Sequence, residues 1–567
     1  MTEEKKVSRR TFVAGSVGGL VVGAAAGALA GYYSAPPAVG GVTSTAKPTA
    51  TPNVLLNSTF HDPTSMDPHK NNDEPTTRYV ANLYDPLVRV NGVPGAWIAV
   101  EPHLAKTWDI SSDGLEYVLH LRRGVRFHDG SILDANAVKY SIERALAINM
   151  NFSAMSIKPF VSAVGAPSTY DVKVTLKQRY SPFIQVMPCL YMVNPKLVEA
   201  NIKPEGPYGD KGDYGTLWLE TNDAGSGPYS LKERRTGELT VYERFPDYWE
   251  GWGPQYFDEY RVSFVSEVPT IAAQLAAGQS DWGEIWLPEE TFNDLEKTGA
   301  CVVPQWADAS GTFTILLNNQ NRFLKNKLVR QAMSYAFDYE TCIRDIWGSK
   351  GLPSTGPIPT GMIGYNSEVQ MYARDIAKAK DLMAQSGFKP GDVKIDALYT
   401  TGEEPRRLMS LLMQQNFAEL GIELAVKDMP WAPFTSALAS MNVEDSFAIT
   451  FLAGSIAVPD PDDILTRFYY SKLWEVTGLK SYYTCSYYKN ETVDALIEQG
   501  RSAPTSQRDA IYKQATKLII EDAASIWPVW QYTRTAIRPD IEGFRPLPFN
   551  FTNFMLDRRN SWYRVKS

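Results

Sequence analysis

Five histidines, His61, His69, His103, His120 and His128, fall within the first quarter of the 567-residue chain, and imidazoles at that density raise the question of a metal. A metal site needs donors one turn apart on a helix or alternating along a strand. No pair here has H-x-H or i,i+4 spacing, so no metal site is expected. Nucleophile and phosphate chemistry leave no trace either: G-x-S-x-G, H-E-x-x-H and a Gly-rich phosphate loop are all missing. Cys189, Cys301, Cys342 and Cys485 lie far apart with no C-x-x-C pair, which leaves one or two disulfides and four buried thiols equally open. Paired carboxylates need no shared motif, and 64 acidic residues are present. A secreted, glycosidase-like hydrolase is therefore the enzymatic alternative. No catalytic residue and no cofactor is expected from spacing.

The binding chemistry that remains is aromatic. Fourteen Trp and thirty Tyr are many, and aromatic rings are costly to leave in water without a use. The net charge of −8 over 567 residues argues against a nucleic-acid partner. A chain this long exceeds one hydrophobic core, so two or three domains are expected.

Residues 1–33 read as an address rather than as fold. Lys5, Lys6, Arg9 and Arg10 precede a Gly/Ala/Val-rich run from Val13 to Ala30. Ser8-Arg9-Arg10-Thr11-Phe12-Val13 resembles the twin-arginine export signal. Cleavage after Ala30 and retention as a membrane anchor both stay open. Residues 34–52 form a Pro/Thr/Ala stalk.

Downstream, strands and helices must carry whatever site exists. Leu115, Tyr117, Leu119 and Leu121 alternate with polar residues, as do Val172, Val174 and Leu176, which predicts half-buried strands. Asp134 is placed to cap a helix over 135–146. A strand is predicted over Thr312–Asn319. Apolar side chains at Val329, Ala332, Ala336, Tyr339, Ile343 and Ile346 then predict one helix over 326–347, stopped at Gly348. Helices at 375–388 and 407–419, with strands at 393–400 and 422–429, give an α/β unit.

Five blocks in order carry a family resemblance: SMDPH (65–69), EPHLAKTWDISSDGLEYVLHLRRGVRFHDGS (101–131), GSGPYSLKERRTGELTVYERFPDYWEG (225–251), AGQSD (277–281) and VRQAMSYAFDYE (329–340). Together they resemble the family 5 extracellular solute-binding proteins, the peptide/nickel-type receptors that feed ABC importers. The resemblance implies an α/β, two-lobed, periplasmic-binding-protein-like fold of class II type. An extra subdomain in the first lobe and a ligand cleft at the hinge come with it. It places lobe I at 53–305 with a subdomain at about 82–192, lobe II at 306–527, and a C-terminal return to lobe I at 528–567.

By the same resemblance, Asn71, Asn72, Asp73 and Glu74 approach ligand from lobe I. Wall candidates are Trp286 in lobe I, Trp306 and Trp527 with Trp530 near the two crossings, and Trp431 in lobe II. Peptide-binding relatives hold the peptide amino terminus with an Asp in a motif like ADYPDP. Here Ser455 leads into Ala457-Val458-Pro459-Asp460-Pro461, so Val458 stands where that Asp would be unless Asp460 serves after a one-residue slip. No Arg occurs between Arg407 and Arg467 to meet a carboxylate. A zwitterion buried without counter-charges is costly, which favours a neutral ligand. An oligopeptide and an oligosaccharide are thus both carried forward. The implied partners are ABC permease subunits with a separate ATPase, since this chain has no phosphate loop to power transport. The expected protein is a monomer exported to the outer face of the cytoplasmic membrane or beyond, tethered or released.

Overall fold

The computed structural model describes residues 52–567 apart from 72–73, 91–99, 254, 349, 402, 455–458, 546–561 and 566–567. The export signal, the stalk, Asn72, Asp73, Ser455 and Val458 lie outside the described residues, as does the side chain of Glu74. Residues 52–567 make one compact unit with two lobes.

Lobe I is built around the strand Val54–Thr59. It runs parallel to Glu259–Phe264, from Val54 opposite Glu259 to Thr59 opposite Phe264, and to Trp282–Gly283 on its other side. Leu239–Arg244 and Tyr229–Arg235 complete the five-stranded sheet as antiparallel neighbours. An extra subdomain carries its own core. Four antiparallel strands, Ala105–Ile110, Glu116–Leu121, Asp171–Leu176 and Val161–Ser168, bury Tyr117, Leu119, Leu121, Val172 and Val174. The helix Ala135–Ile148 covers them, and Asp134 accepts from the backbone N–H groups of Asn136 and Ala137 at its start. Asn149 ends it in the left-handed conformation at φ 55°.

Lobe II is a three-layer α/β sandwich. Its six strands run in the order Gly351–Leu352, Ser525–Arg534, Gln305–Leu317, Ile449–Gly454, Lys394–Thr400, Glu423–Met429. Alternation along the strand Gln305–Leu317 decides the layers. Phe313, Ile315 and Leu317 join the core under the helices Lys327–Ala336, Ile376–Gln385 and Glu404–Ala418. Leu316 points the other way, into a core with Phe434, Leu465, Ile497 and Ile519.

Two predicted elements are corrected. The strand predicted at 312–319 begins at Gln305 and ends at Leu317. The helix predicted over 326–347 is broken: it runs Lys327–Ala336, and Phe337 is extended at ψ 134°. Asp338 then caps a new turn, accepting from the N–H and Oγ1 of Thr341, before a π-helical turn at Cys342–Ile346. Asp338 is a good N-cap, and Asn416 Oδ1 accepts its own backbone N–H, so the break is paired on both sides. A continuous apolar stripe concealed it.

The chain crosses between lobes twice, and the two crossings are hydrogen-bonded partners. Gln305 lies opposite Arg534, Trp306 opposite Thr533, Thr312 opposite Trp530, and Leu316 opposite Ser525. Between Ala307 and Thr312 the first strand runs on while its partner moves only from Tyr532 to Trp530. Such a bulge relaxes ladder geometry and lets paired strands bend together. Beyond it, Ile537 bridges to both Val302 and Trp282, returning the chain to lobe I.

Candidate functional site

The turn Ser65–His69 is set by charge before it presents anything to solvent. Arg144, from the helix Ala135–Ile148, donates to both carboxylate oxygens of Asp67, at 2.9 and 2.6 Å, and all of these side chains are fully buried. Asp67 accepts from the backbone N–H of His69, while the imidazole Nε2 sits 2.9 Å from the Tyr191 carbonyl and Nδ1 2.9 Å from Arg144. That geometry suits a neutral ring. Burial and the neighbouring Arg144 charge outweigh Asp67 and pull His69 down to about 4. Asn71 follows this clamp. It is 5% exposed, and neither atom of its amide finds a partner among the described residues.

On the hinge, Thr312 stands between Trp530 on one neighbouring strand and Gly454 on the other. Residues directly opposite share a sheet face, so the Thr312 hydroxyl, the Trp530 indole and the bare Gly454 form one strip. Thr312 Oγ1 is buried and unpartnered among the described residues, and so is the indole N–H of Trp306, the second residue of the same strand Gln305–Leu317. A buried polar group left unpaired costs about 1–3 kcal/mol, so a ligand or water that reaches any of Asn71, Trp306 and Thr312 has a hydrogen bond to offer it.

The lobes meet directly. Tyr180 of lobe I donates to Asp462 at 3.0 Å, the backbone N–H of Ser181 donates to the Arg501 carbonyl, and Ser181 Oγ to that of Ala503. Lys350 of lobe II pairs with Glu289 of lobe I at 3.0 Å, and Arg534 bonds the same carboxylate. Burial pushes Glu289 up, but these two cations outweigh it and hold it below its ordinary value.

Two cavities lie along this seam. One, of about 460 Å³, takes Trp286, Leu287 and Phe292 from lobe I with Phe313, Trp347 and Arg406 from lobe II. The other, about 1450 Å³, separates the extra subdomain from the lobe II helices.

The candidate residues do not all converge. Trp286 lines the smaller cavity. Trp530 and Thr312 share the hinge strip. Trp306 buries its ring in the lobe I core, 5.3 Å from Phe544, and offers only its N–H. Trp527 is corrected to a core residue: it is 2% exposed and packed with Leu316 and Tyr469 under lobe II. Trp431 opens the helix Trp431–Ser440 and is 39% exposed, stacked on Phe434 and edge-on to Tyr482. Asp460 is corrected as well. Arg508 grips both its oxygens, at 2.7 and 2.6 Å, and it caps the helix Pro461–Tyr469 through the N–H of Asp462. Its charge is spent on Arg508 and on the start of that helix. Thr312 was missed because a threonine in TFTILLNN carries no local signal; only the strand register places it beside Trp530.

The histidines also find protein partners instead of one another: Glu284 for His61, Asp85 for His103, Asp109 and Asp171 for His120, and Asp223 for His128. All four cysteines are buried free thiols.

Residues 99–475, over half of the chain, match the model of the bacterial extracellular solute-binding proteins, family 5, middle region. The chain belongs to this family. Curated relatives span most of it. The probable D,D-dipeptide-binding periplasmic protein DdpA of Escherichia coli is 27% identical over 488 residues, 85% of this chain and 89% of that one. Heme-binding protein A of Haemophilus influenzae is 26% identical over 482 residues, 80% and 83% of the two chains. Among solved structures, the ABC transporter-associated periplasmic binding protein DppA of Helicobacter pylori, in complex with the peptide STSA, superposes with a TM-score of 0.76 at 23% identity, covering 90% and 98%. As a family 5 member the chain is a solute-binding protein and not an enzyme, which displaces the hydrolase alternative.

Proposed function

We propose that this protein is the extracytoplasmic receptor of an ABC importer, closing two lobes over a peptide and handing it to membrane permease subunits served by a separate ATPase. Lobe I is taken as 53–305, lobe II as 306–527 and the return as 528–567. The supporting observation is the set of buried, unpartnered neutral groups on Asn71, Trp306 and Thr312, contributed by lobe I and the crossing strand. A ligand that satisfies groups held on both sides of a hinge prefers the closed state, and that preference is what drives closure. Peptide is favoured because DdpA is named for a D,D-dipeptide and the Helicobacter pylori protein was solved with STSA.

An oligosaccharide is the second candidate, and one observation favours it. Asp460, the acid nearest to the place of the relatives' amine anchor, is already neutralised by Arg508. Neutral hydrogen bonders beside Trp530 suit hydroxyl groups as well as peptide amides. Twin-arginine export, with the protein either tethered to the membrane or released, completes the proposal. Calorimetry of the purified protein against panels of short peptides, their amino-acetylated forms and neutral oligosaccharides tests it. Peptide binding that survives acetylation supports a neutral site. Strict dependence on a free amino group would overturn it, and turnover of any ligand would overturn the receptor assignment.

A further inference from the structure

The larger seam cavity, about 1450 Å³, has walls from the subdomain and from lobe II, and its charges do not cancel. Three acids line it and each has a cation: Asp462 with Arg501 at 2.8 Å, Asp463 with Arg467 at 2.6 Å, and Glu498 with Lys472 at 2.6 Å. Three further cations, Lys158, Arg179 and Lys480, line the same cavity and form no ion pair among the described residues; Arg179 acts at a distance, on Asp113 and Tyr117. Apolar side chains, Phe152, Met155, Phe160, Leu473, Val476 and Leu479, line it beside neutral polar ones such as Gln178, Thr466 and Gln499. Val476 is 73% exposed, the most of any large apolar residue described.

An unbalanced positive cavity is out of character for this chain, whose net charge is −8. Low-dielectric walls with one sign of charge focus field lines and concentrate ions of the other sign. The hinge strip is a different place: Thr312, Trp530 and Gly454 are absent from this lining, and their polar groups are neutral. We propose that the seam cavity is a second binding site, for an anion with an apolar body, separate from the solute site at the hinge. Its walls come from both lobes, so they are brought together only when the lobes close. An anion bound there stabilises the closed form, and by linkage it and the transported solute strengthen each other's binding.

Two related fluorescent probes test this on the exported protein: 1-anilinonaphthalene-8-sulfonate, an aromatic anion, and N-phenyl-1-naphthylamine, its neutral counterpart. The anion is expected to bind one per protein, at least about tenfold more tightly than the neutral probe, and more weakly as salt rises. Lys158→Glu with Lys480→Glu is expected to weaken the anion about tenfold or more while leaving the neutral probe and the melting temperature unchanged. Lys158 is exposed and Lys480 half-buried without an ion pair among the described residues, so folding is retained. Val476→Trp, which fills the cavity without touching charge, is expected to weaken both probes. Equal affinity for the two probes, absence of saturable anion binding, or indifference of the anion to the double charge reversal would each overturn the proposal. None of these results depends on which solute the hinge takes.

Discussion

Replacing Arg508 by methionine leaves the Asp460 carboxylate in a site with 0% exposure and no counter-charge. In the native protein that carboxylate receives two guanidinium hydrogen bonds, at 2.7 and 2.6 Å, and the backbone N–H of Asp462 at 2.9 Å. Removing one partner of a buried pair costs about 3–5 kcal/mol, because the abandoned charge keeps its desolvation penalty. Removing both charges, as Asp460→Leu with Arg508→Met, restores an apolar contact and adds to the single change only the lost helix cap, worth about 1 kcal/mol, since the Arg508 Nε bond to the Gly500 carbonyl is gone from both variants. The double variant is therefore expected to be more stable than the single Arg508 variant, by about 2–4 kcal/mol. Denaturant unfolding followed by intrinsic fluorescence reads the difference. Asp460→Asn keeps the cap acceptor and one of the side-chain bonds, so it should melt lower than the native protein and bind solute with native affinity. If instead Asp460→Asn abolishes solute binding at an unchanged melting temperature, Asp460 is the ligand anchor, and its assignment to the scaffold is refuted.

Thr312→Val keeps the strand shape and removes one hydroxyl; solute affinity measured by calorimetry should fall by about 0.5–1.5 kcal/mol, and no change would remove Thr312 from the site. Trp431→Ala removes a ring that is 39% exposed, so the melting temperature should hold, whereas Trp530→Ala in a 5% exposed site should cost about 3–5 kcal/mol of stability in addition to weakening solute. His69 is depressed to about 4 against an ordinary value of 6.5, because burial and Arg144 disfavour its charged form. The unfolded chain thus binds the extra proton first: its contribution is complete above pH 6.5 and is lost as pH falls toward 4, by about 3 kcal/mol. Denaturant midpoints from pH 7.5 to 4 should fall more steeply for the native protein than for His69→Asn, and parallel curves would refute the buried neutral ring.

The lobes and their strands were legible because they are repetitive. Alternation at Tyr117, Leu119 and Leu121, a single good cap at Asp134 and five ordered blocks each constrain the backbone locally or by family. The broken helix at Phe337 was not, since its two halves continue one apolar stripe and the break depends on Asn416, which lies 78 residues away in sequence. Site residues failed for a similar reason. Tryptophan type identifies what can line a wall but not which side of a sheet it takes, and a bulge between Phe313 and Ile315, where the partner strand moves from Val529 to Ile526, shifts that parity. Trp527 thereby takes the same face as Leu316 and packs in the lobe II core, while Trp530 lies opposite Thr312. Asp460 looked like a spare acid because Arg508, its partner, lies 48 residues on.

Closure itself follows from these placements. The closed lobes are joined at Tyr180, Ser181 and Lys350 by hydrogen bonds and one ion pair, groups that water satisfies nearly as well in the open form. Contacts of this kind set the register of closure but contribute little to its equilibrium. Taking a receptor from mostly open to mostly closed needs about 5.5 kcal/mol of preferential binding. The amide of Asn71, the indole N–H of Trp306 and the hydroxyl of Thr312, buried and without a partner among the described residues, are where a solute can contribute part of it. If closing the lobes is what buries these groups, closure without ligand is penalised until something bonds them. A Thr312→Val variant carries less of that penalty and should close more readily when empty, which small-angle scattering of the ligand-free protein would detect as a smaller radius of gyration. An unchanged or larger radius would show that the orphaned groups do not hold the empty receptor open.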